Sequence, residues 1–176
     1  YRVGDREGRF KTPPKGDGPV TFLLYGDTRS NPKIHGKVAA LMAKETPDLV
    51  LHSGDLVADG RNPEHWPPFF DSAAPLFRVA PFYPALGNHD NDAAQYFDAF
   101  VLPGNERYYS FDYGSAHFVI LDSNGRWRKD ERQLRWLKDD LAASKKPFKF
   151  AVYHHPIASS SRSKSRVADA ESLYAL

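Results

Sequence analysis

Asp48-Leu49-Val50-Leu51-His52-Ser53-Gly54-Asp55 is a short apolar run that breaks into a glycine and a carboxylate. A continuous apolar run, as opposed to an alternating one, predicts a strand buried on both faces. The glycine that follows lets the backbone turn sharply away from the sheet. The same arrangement stands upstream, where Val20-Thr21-Phe22-Leu23-Leu24-Tyr25 leads into Gly26-Asp27. Downstream, Phe82-Tyr83-Pro84-Ala85-Leu86 leads into Gly87-Asn88-His89-Asp90. That third strand is weaker, because Pro84 donates no ladder hydrogen bond. Finally, Phe148 to Tyr153 leads into His154-His155-Pro156.

Between these strands the period changes. Ile34, Val38, Leu41 and Met42 recur at i, i+4, i+7 and i+8, which is one helix face, and Pro47 stops that helix. Pro63 to Val79 reads as helical, punctuated by Pro67, Pro68 and Pro75, and Ala93 to Phe100 as a short helix. Tyr109, Phe111 and Tyr113 alternate with polar residues, Gly114-Ser115 makes a turn, and Ala116 to Leu121 returns as a strand. This is a hairpin, so part of the sheet is antiparallel. Leu134, Leu137 and Leu141 mark another amphipathic helix, and Val167 to Leu176 begins one more. The fold class is α/β, with mixed sheet layers flanked by helices. Residues 1–18 are a Gly-, Arg-, Lys- and Pro-rich lead-in, with Arg9 to Thr12 as a short edge strand and Pro13 to Gly16 as a linker.

Composition removes several functions. The 176 residues suit one domain, and a net charge of +2 without a basic stripe argues against nucleic acid as a partner. The absence of cysteine excludes disulfides, thiolate metal sites and cysteine nucleophiles. No apolar run approaches the roughly 20 residues needed to span a membrane. The chain opens on Tyr1 and not on Met, so any targeting segment is expected to have gone with the natural start.

The chemistry lies in what closes each strand. In open α/β sheets, ligands bind beyond the carboxyl ends of the strands, so residues distant in sequence converge there. Here those ends carry carboxylates, an amide and imidazoles, donors that suit Zn, Mn or Fe. A carboxylate has two oxygens and bridges two cations, and paired ions roughly 3.5–4 Å apart clamp a phosphoryl group and activate water. Each dipeptide alone is an ordinary turn or cap. Four of them in this order, each closing an apolar run, are not.

Gly26-Asp27, Gly54-Asp55, Gly87-Asn88-His89-Asp90 and His154-His155-Pro156 resemble the successive metal motifs of the calcineurin-like metallophosphoesterases. Ile120-Leu121-Asp122-Ser123 and the Gln133–Leu137 helix are similar to their purple-acid-phosphatase-like branch. The resemblance implies an α/β/β/α sandwich holding two transition-metal ions, Fe, Zn or Mn, and hydrolysis of phosphate mono- or diesters. Asp27 would bind the first metal, Asp55 would bridge both, and Asn88 and His154 would bind the second. His89 would be catalytic, donating a proton to the leaving group or stabilising charge. The substrate would be a phosphorylated small molecule or ester, and the setting secreted or periplasmic. The family completes its first site with a His two residues after the first Asp, or a Tyr three after the second; here those positions are Arg29 and Ala58. Arg29 is expected either to contact phosphate or to pair with a nearby acid. The family's closing Gly-His-x-His is absent. Residues 19–176 are therefore expected to be a catalytic domain lacking its C-terminal part, and 1–18 a remnant of a preceding β domain or linker. The competing expectation is a binding or scaffold domain with a degenerate first site.

Other residues carry two readings each. His155 is a candidate substrate contact. His52 either orients Asp55 or is a hydrogen-bonded core histidine. His35 and His117 are expected to be structural, Asp90 to cap a helix or orient His89, and Asp59 to serve a turn. Ser159 to Arg166 is a polar, basic loop that would either steer a phosphorylated substrate or simply be solvated.

Overall fold

The computed structural model describes residues 1–124 and 130–156. Strands β1 (Arg2–Val3) and β2 (Arg6–Glu7) pair as a small hairpin, followed by β3 (Phe22–Tyr25), α1 (Pro32–Met42) and β4 (Leu49–His52). Then come α2 (Trp66–Phe77), β5 (Phe82–Pro84), α3 (Ala94–Ala99), β6 (Tyr109–Tyr113), β7 (Ala116–Ile120), α4 (Glu131–Ala143) and β8 (Phe148–Val152). One sheet has the order β3-β4-β5, all parallel; the other has the order β6-β7-β8, antiparallel across the hairpin and parallel between β7 and β8. The helix expected from Val167 and the basic loop from Ser159 lie outside the described residues.

Strand alternation explains the layering. Leu49 and Leu51 of β4 join Phe118 and Ile120 of β7 in one core between the two sheets. Val50, between the two leucines, points the other way and packs with Ala39 of α1 and Leu76 of α2. Val119 likewise turns outward onto Leu137 of α4. The layers are thus helix, sheet, sheet, helix. Aromatic rings lock the sheet interface: Phe22 meets Phe118 edge-on at 5.1 Å, and Tyr83 stacks on Phe111 at 4.0 Å.

Three of the prolines fit where their missing donors cost nothing, whereas Pro75 lies inside α2. Pro67 and Pro68 fall in the first turn of α2, where amides lack intrahelical acceptors anyway. Pro84 sits on the edge strand β5.

Three expectations need correcting. The apolar face of α1 points away from the core: Ile34 is 58% and Leu41 61% exposed, whereas His35 and Ala39 are buried. The helix docks on α2 through its small residues; at Gly36 even an added Cβ would make only ordinary contact, 3.8 Å from Ser72. Strand β3 is not buried on both faces, since it ends the sheet and leaves Leu24 half exposed. Arg9 to Thr12 forms no strand; Arg9 instead donates its amide to the Arg78 carbonyl at 2.7 Å.

Candidate metal centre

Strands β3, β4, β5 and β8 deliver their loops to one rim. The backbone there is forced: Asp27 and Asp55 both sit at φ near +57°, at 56° and 57°. That left-handed region is uncommon for residues with a Cβ, and Asp is among those that tolerate it best. Gly54 has φ +97°, and a Cβ on it would lie 2.7 Å from the Gly87 nitrogen. The Gly-Asp and Gly-Asn turns therefore pack backbone against backbone, which keeps their side chains together.

One buried carboxylate ties these turns. Asp90 is fully buried and accepts N–H bonds from Asp55 (3.0 Å), Leu56 (2.9 Å) and Gly87 (2.7 Å). It neither caps the following helix by its side chain nor bonds His89, as expected from sequence. It joins the β4 and β5 exits instead. Burial pushes its carboxyl up to about 6, against the pull of those amides.

His52 is the second tie. Its Nδ1 accepts from the Gly54 amide at 3.1 Å, so Nε2 carries the proton and donates to Thr28 Oγ1 at 3.1 Å. The Thr28 hydroxyl then donates to the Leu56 carbonyl at 3.1 Å, binding the β3 exit to the β4 exit. Behind it, His35 bonds Ser72 at 2.7 Å and Tyr25 at 3.1 Å. His35 is thus a buried structural group.

Burial holds both imidazoles neutral, His35 down to about 4 and His52 to about 3, against an ordinary 6.5. Histidines with depressed folded values stabilise above 6.5, and that stability is lost as pH falls through the window below it. Asp90, with its raised value, opposes this by gaining a proton more readily when folded. Two groups against one leave a net loss of about 1.4 kcal/mol per pH unit. The urea midpoint is therefore expected to fall from pH 6.5 to 4.5; a flat or rising midpoint would overturn this assignment.

The ligand candidates converge as follows. His154 Nδ1 donates to the Ser53 carbonyl at 2.9 Å, which leaves the Nε2 lone pair facing Asn88 Oδ1 at 3.1 Å and Asp55 Oδ1 at 3.4 Å. One donor atom each from Asp27, Asp55 and His154 lies within 4.8 Å of the other two. The His154 lone pair facing two oxygens with no proton between is what a borderline cation needs, so Asp55, Asn88 and His154 fit a metal ion. Asp55 is 2% exposed in its side chain, and Asp27 is mostly exposed.

Arg29 lies in the middle of this group. Its Nε is 3.1 Å from Asp55 Oδ2 and 4.0 Å from Asp27 Oδ1, and its NH1 donates to His89 Nε2 at 2.7 Å. The pairing expectation for Arg29 is met twice over. His89 Nδ1 donates to the Ala58 carbonyl at 2.7 Å, so its Nε2 is an acceptor here and holds no proton to give. His155 is set apart by Ser123: its amide donates to Ser123 Oγ at 3.0 Å, and its Nδ1 lies 3.0 Å from the same oxygen. Asp59 serves the turn, accepting from Arg61 N, and His117 bridges Asp112 and Asp140 far from the rim.

Sequence reading missed the cleft beside Asn88. It measures about 420 Å³ and is lined by Arg61, Asn91, Arg107, Asp122 and Asn124. Arg107 bonds Asp92, and Asn124 donates to the Gly87 carbonyl at 3.4 Å with its Oδ1 buried and without a hydrogen-bond partner among the described residues. Asp122 apart, none of these belongs to a motif quoted from the sequence. Only the sheet brings them together.

The family model described as "Calcineurin-like phosphoesterase" matches residues 20–176. Purple acid phosphatase 18 of Arabidopsis thaliana is 27% identical over 96% of this chain and 43% of its own length. Acid phosphatase type 7 of Mus musculus is 27% identical over 89% of the chain and 40% of its own length. A relative named probable inactive purple acid phosphatase 9, also from Arabidopsis thaliana, is 26% identical over 82% of the chain and 29% of its own length. The chain spans less than half the length of these relatives. Among solved structures, the purple acid phosphatase from yellow lupin (Lupinus luteus) seeds superposes with a TM-score of 0.72 at 23% identity, covering 86% of this chain and 33% of its own. A dimetal phosphatase from Danio rerio gives 0.61 at 15% identity, covering 90% and 77%. Both share this fold.

Proposed function

Because this chain belongs to the calcineurin-like phosphoesterase family, we propose that it is the metal-binding core of an enzyme that hydrolyses phosphate mono- or diesters. The observation that carries this reading is the meeting of His154 Nε2 with Asn88 Oδ1 and Asp55 Oδ1, at 3.1 and 3.4 Å, with no proton to separate them. Asp55, Asn88 and His154 would hold a transition-metal ion, Fe, Zn or Mn. When bound, that ion polarises a phosphoryl oxygen and makes water acidic enough to attack near neutral pH.

The chain's own side chains do the rest. Arg29 offers N–H groups to phosphate oxygens in the fork geometry that suits them. His89, held by the Ala58 carbonyl, presents Nε2 to the same space; once Arg29 turns to substrate, that nitrogen is free to take a proton and pass it to the leaving alkoxide. The cleft beside Asn88, with Arg61 and Arg107, would receive the alcohol portion of the ester. His155 would approach substrate from the β8 side. Asp27 and Asp55 would hold a first ion in the two-cation form of this reading, as the family resemblance implies. A secreted or periplasmic setting accompanies the reading, and no described helix is long and apolar enough to cross a membrane.

A scaffold role is the second reading, favoured by Arg29 and Ala58 at the first site and by a relative whose name calls it inactive. Chelation separates the two. The full-length protein is expected to hydrolyse a chromogenic phosphate monoester or diester, to lose that activity on dialysis against a chelator, and to regain it with Zn, Mn or Fe. Absence of hydrolysis with every metal would favour the scaffold.

A further inference from the structure

The carboxylate of Asp55 has two unlike sides. Oδ1 accepts the His89 amide at 2.8 Å and faces the His154 imidazole at 3.4 Å, beside the Asn88 amide oxygen. Oδ2 faces a guanidinium, with Arg29 Nε at 3.1 Å. The Asp27 carboxylate lies on that same side, 4.0 Å from the same nitrogen. On the Oδ2 side the described residues thus offer two carboxylates and one permanent cation between them.

A guanidinium donates only and does not give up its proton in a protein, so Arg29 adds no ligand atom to that side and cannot become neutral there. Ala58 has no ligand atom in its side chain, and its carbonyl is taken by His89 Nδ1 at 2.7 Å. With His154 given to the ion on the Oδ1 side, Asp27 and Asp55 are the ligands left here among the described residues, short of the three protein ligands usual for a catalytic ion. A dication there would also stand against a fixed positive charge within a few ångströms, where like charges repel strongly. The Oδ1 side has neither defect.

Resting on the phosphoesterase reading above, we propose that the Arg29 guanidinium serves as the second cation of this centre. It stands between Asp27 and Asp55 and leaves a single metal ion to Asp55, Asn88 and His154. Phosphate would then be clamped between one metal ion and one arginine. Arg29 NH1, which bonds His89 at 2.7 Å, would give up that bond when phosphate arrives, coupling the clamp to the proton-transfer group. Unlike a second metal, this cation cannot be removed by a chelator.

Metal counting tests the idea without reference to turnover. The full-length protein, saturated with Mn(II) and freed of excess, is expected to retain one equivalent per chain and to give the six-line resonance of an isolated ion. Arg29→His replaces the fixed charge by a neutral ligand nitrogen; it is expected to retain two equivalents and give a broadened, exchange-coupled spectrum. Arg29→Lys, which keeps the charge, is expected to stay at one. Two equivalents in the unaltered protein would overturn the proposal while leaving the phosphoesterase reading intact. One equivalent in all three proteins would show that Arg29 is not what excludes the second ion, and would overturn it as well. No retained metal would sink this proposal and the metal-site reading together.

Discussion

Asp55→Asn in the full-length protein is expected to reduce phosphoester hydrolysis by at least about a thousandfold, with the fold retained. The reason is the position of both oxygens. Asp55 is 1% exposed and faces His154 on one side and Arg29 on the other. Asparagine keeps an oxygen that can still accept the His89 amide, so the loop survives. Its NH2 must then face either the metal side or the guanidinium, and both already present positive charge or donors. Initial rates on a chromogenic phosphate ester, with circular dichroism to check folding, measure this. Turnover within tenfold of the unaltered protein would remove Asp55 from the site.

Gly87→Ala is expected to cost about 3 kcal/mol of stability or more, far above what one methyl group usually costs on a surface. Its Cβ would collide with the Asp55 backbone nitrogen and Oδ1, and would lie 2.8 Å from Asp55 Cα. Backbone has no rotamer to move out of the way. The displaced turn would also pull two N–H groups, those of Gly87 and Asp55, off the Asp90 carboxylate. Gly36→Ala is the matched control: its Cβ meets nothing nearer than 3.8 Å, and it lies inside α1. There alanine is expected to stabilise by about 0.5–1 kcal/mol. Urea unfolding of the two variants should therefore move in opposite directions. Equal midpoints would mean that the close approach of the two turns is not what glycine serves.

The layered fold was legible because its strands announce themselves. Leu49, Val50 and Leu51 are all buried, as a continuous apolar run predicts, and the hairpin from Tyr109 to Ile120 turns where Gly114 and Ser115 stand. What misled was the assumption that the most apolar face of a helix is the packed one. Ile34, Val38 and Leu41 face outward because α1 docks through His35, Gly36 and Ala39, whose small or hydrogen-bonded side chains permit close contact with α2. Asp27, Asp55, Asn88 and His154 could be picked out because each closes a strand, and closing a strand decides which rim a residue occupies. Of the two ties, His52 could be read as a hydrogen-bonded core histidine, but the role of Asp90 was not legible in this way. Asp90 reads as a helix cap until the β4 and β5 exits are seen to place three amides around it. Arg61, Arg107 and Asn124 come from three loops and share no spacing, so only the folded sheet makes them neighbours.

Trp66 hangs on the same scaffold. Its indole N–H donates to the Gly60 carbonyl at 2.9 Å, and the Gly60 amide donates to the carbonyl of His89 at 2.8 Å. One residue, Gly60, thus links the His89 backbone to a buried chromophore whose emission colour follows the polarity around it. Loading that moves His89 is therefore expected to change Trp66 emission, which a fluorimeter would follow with no label attached.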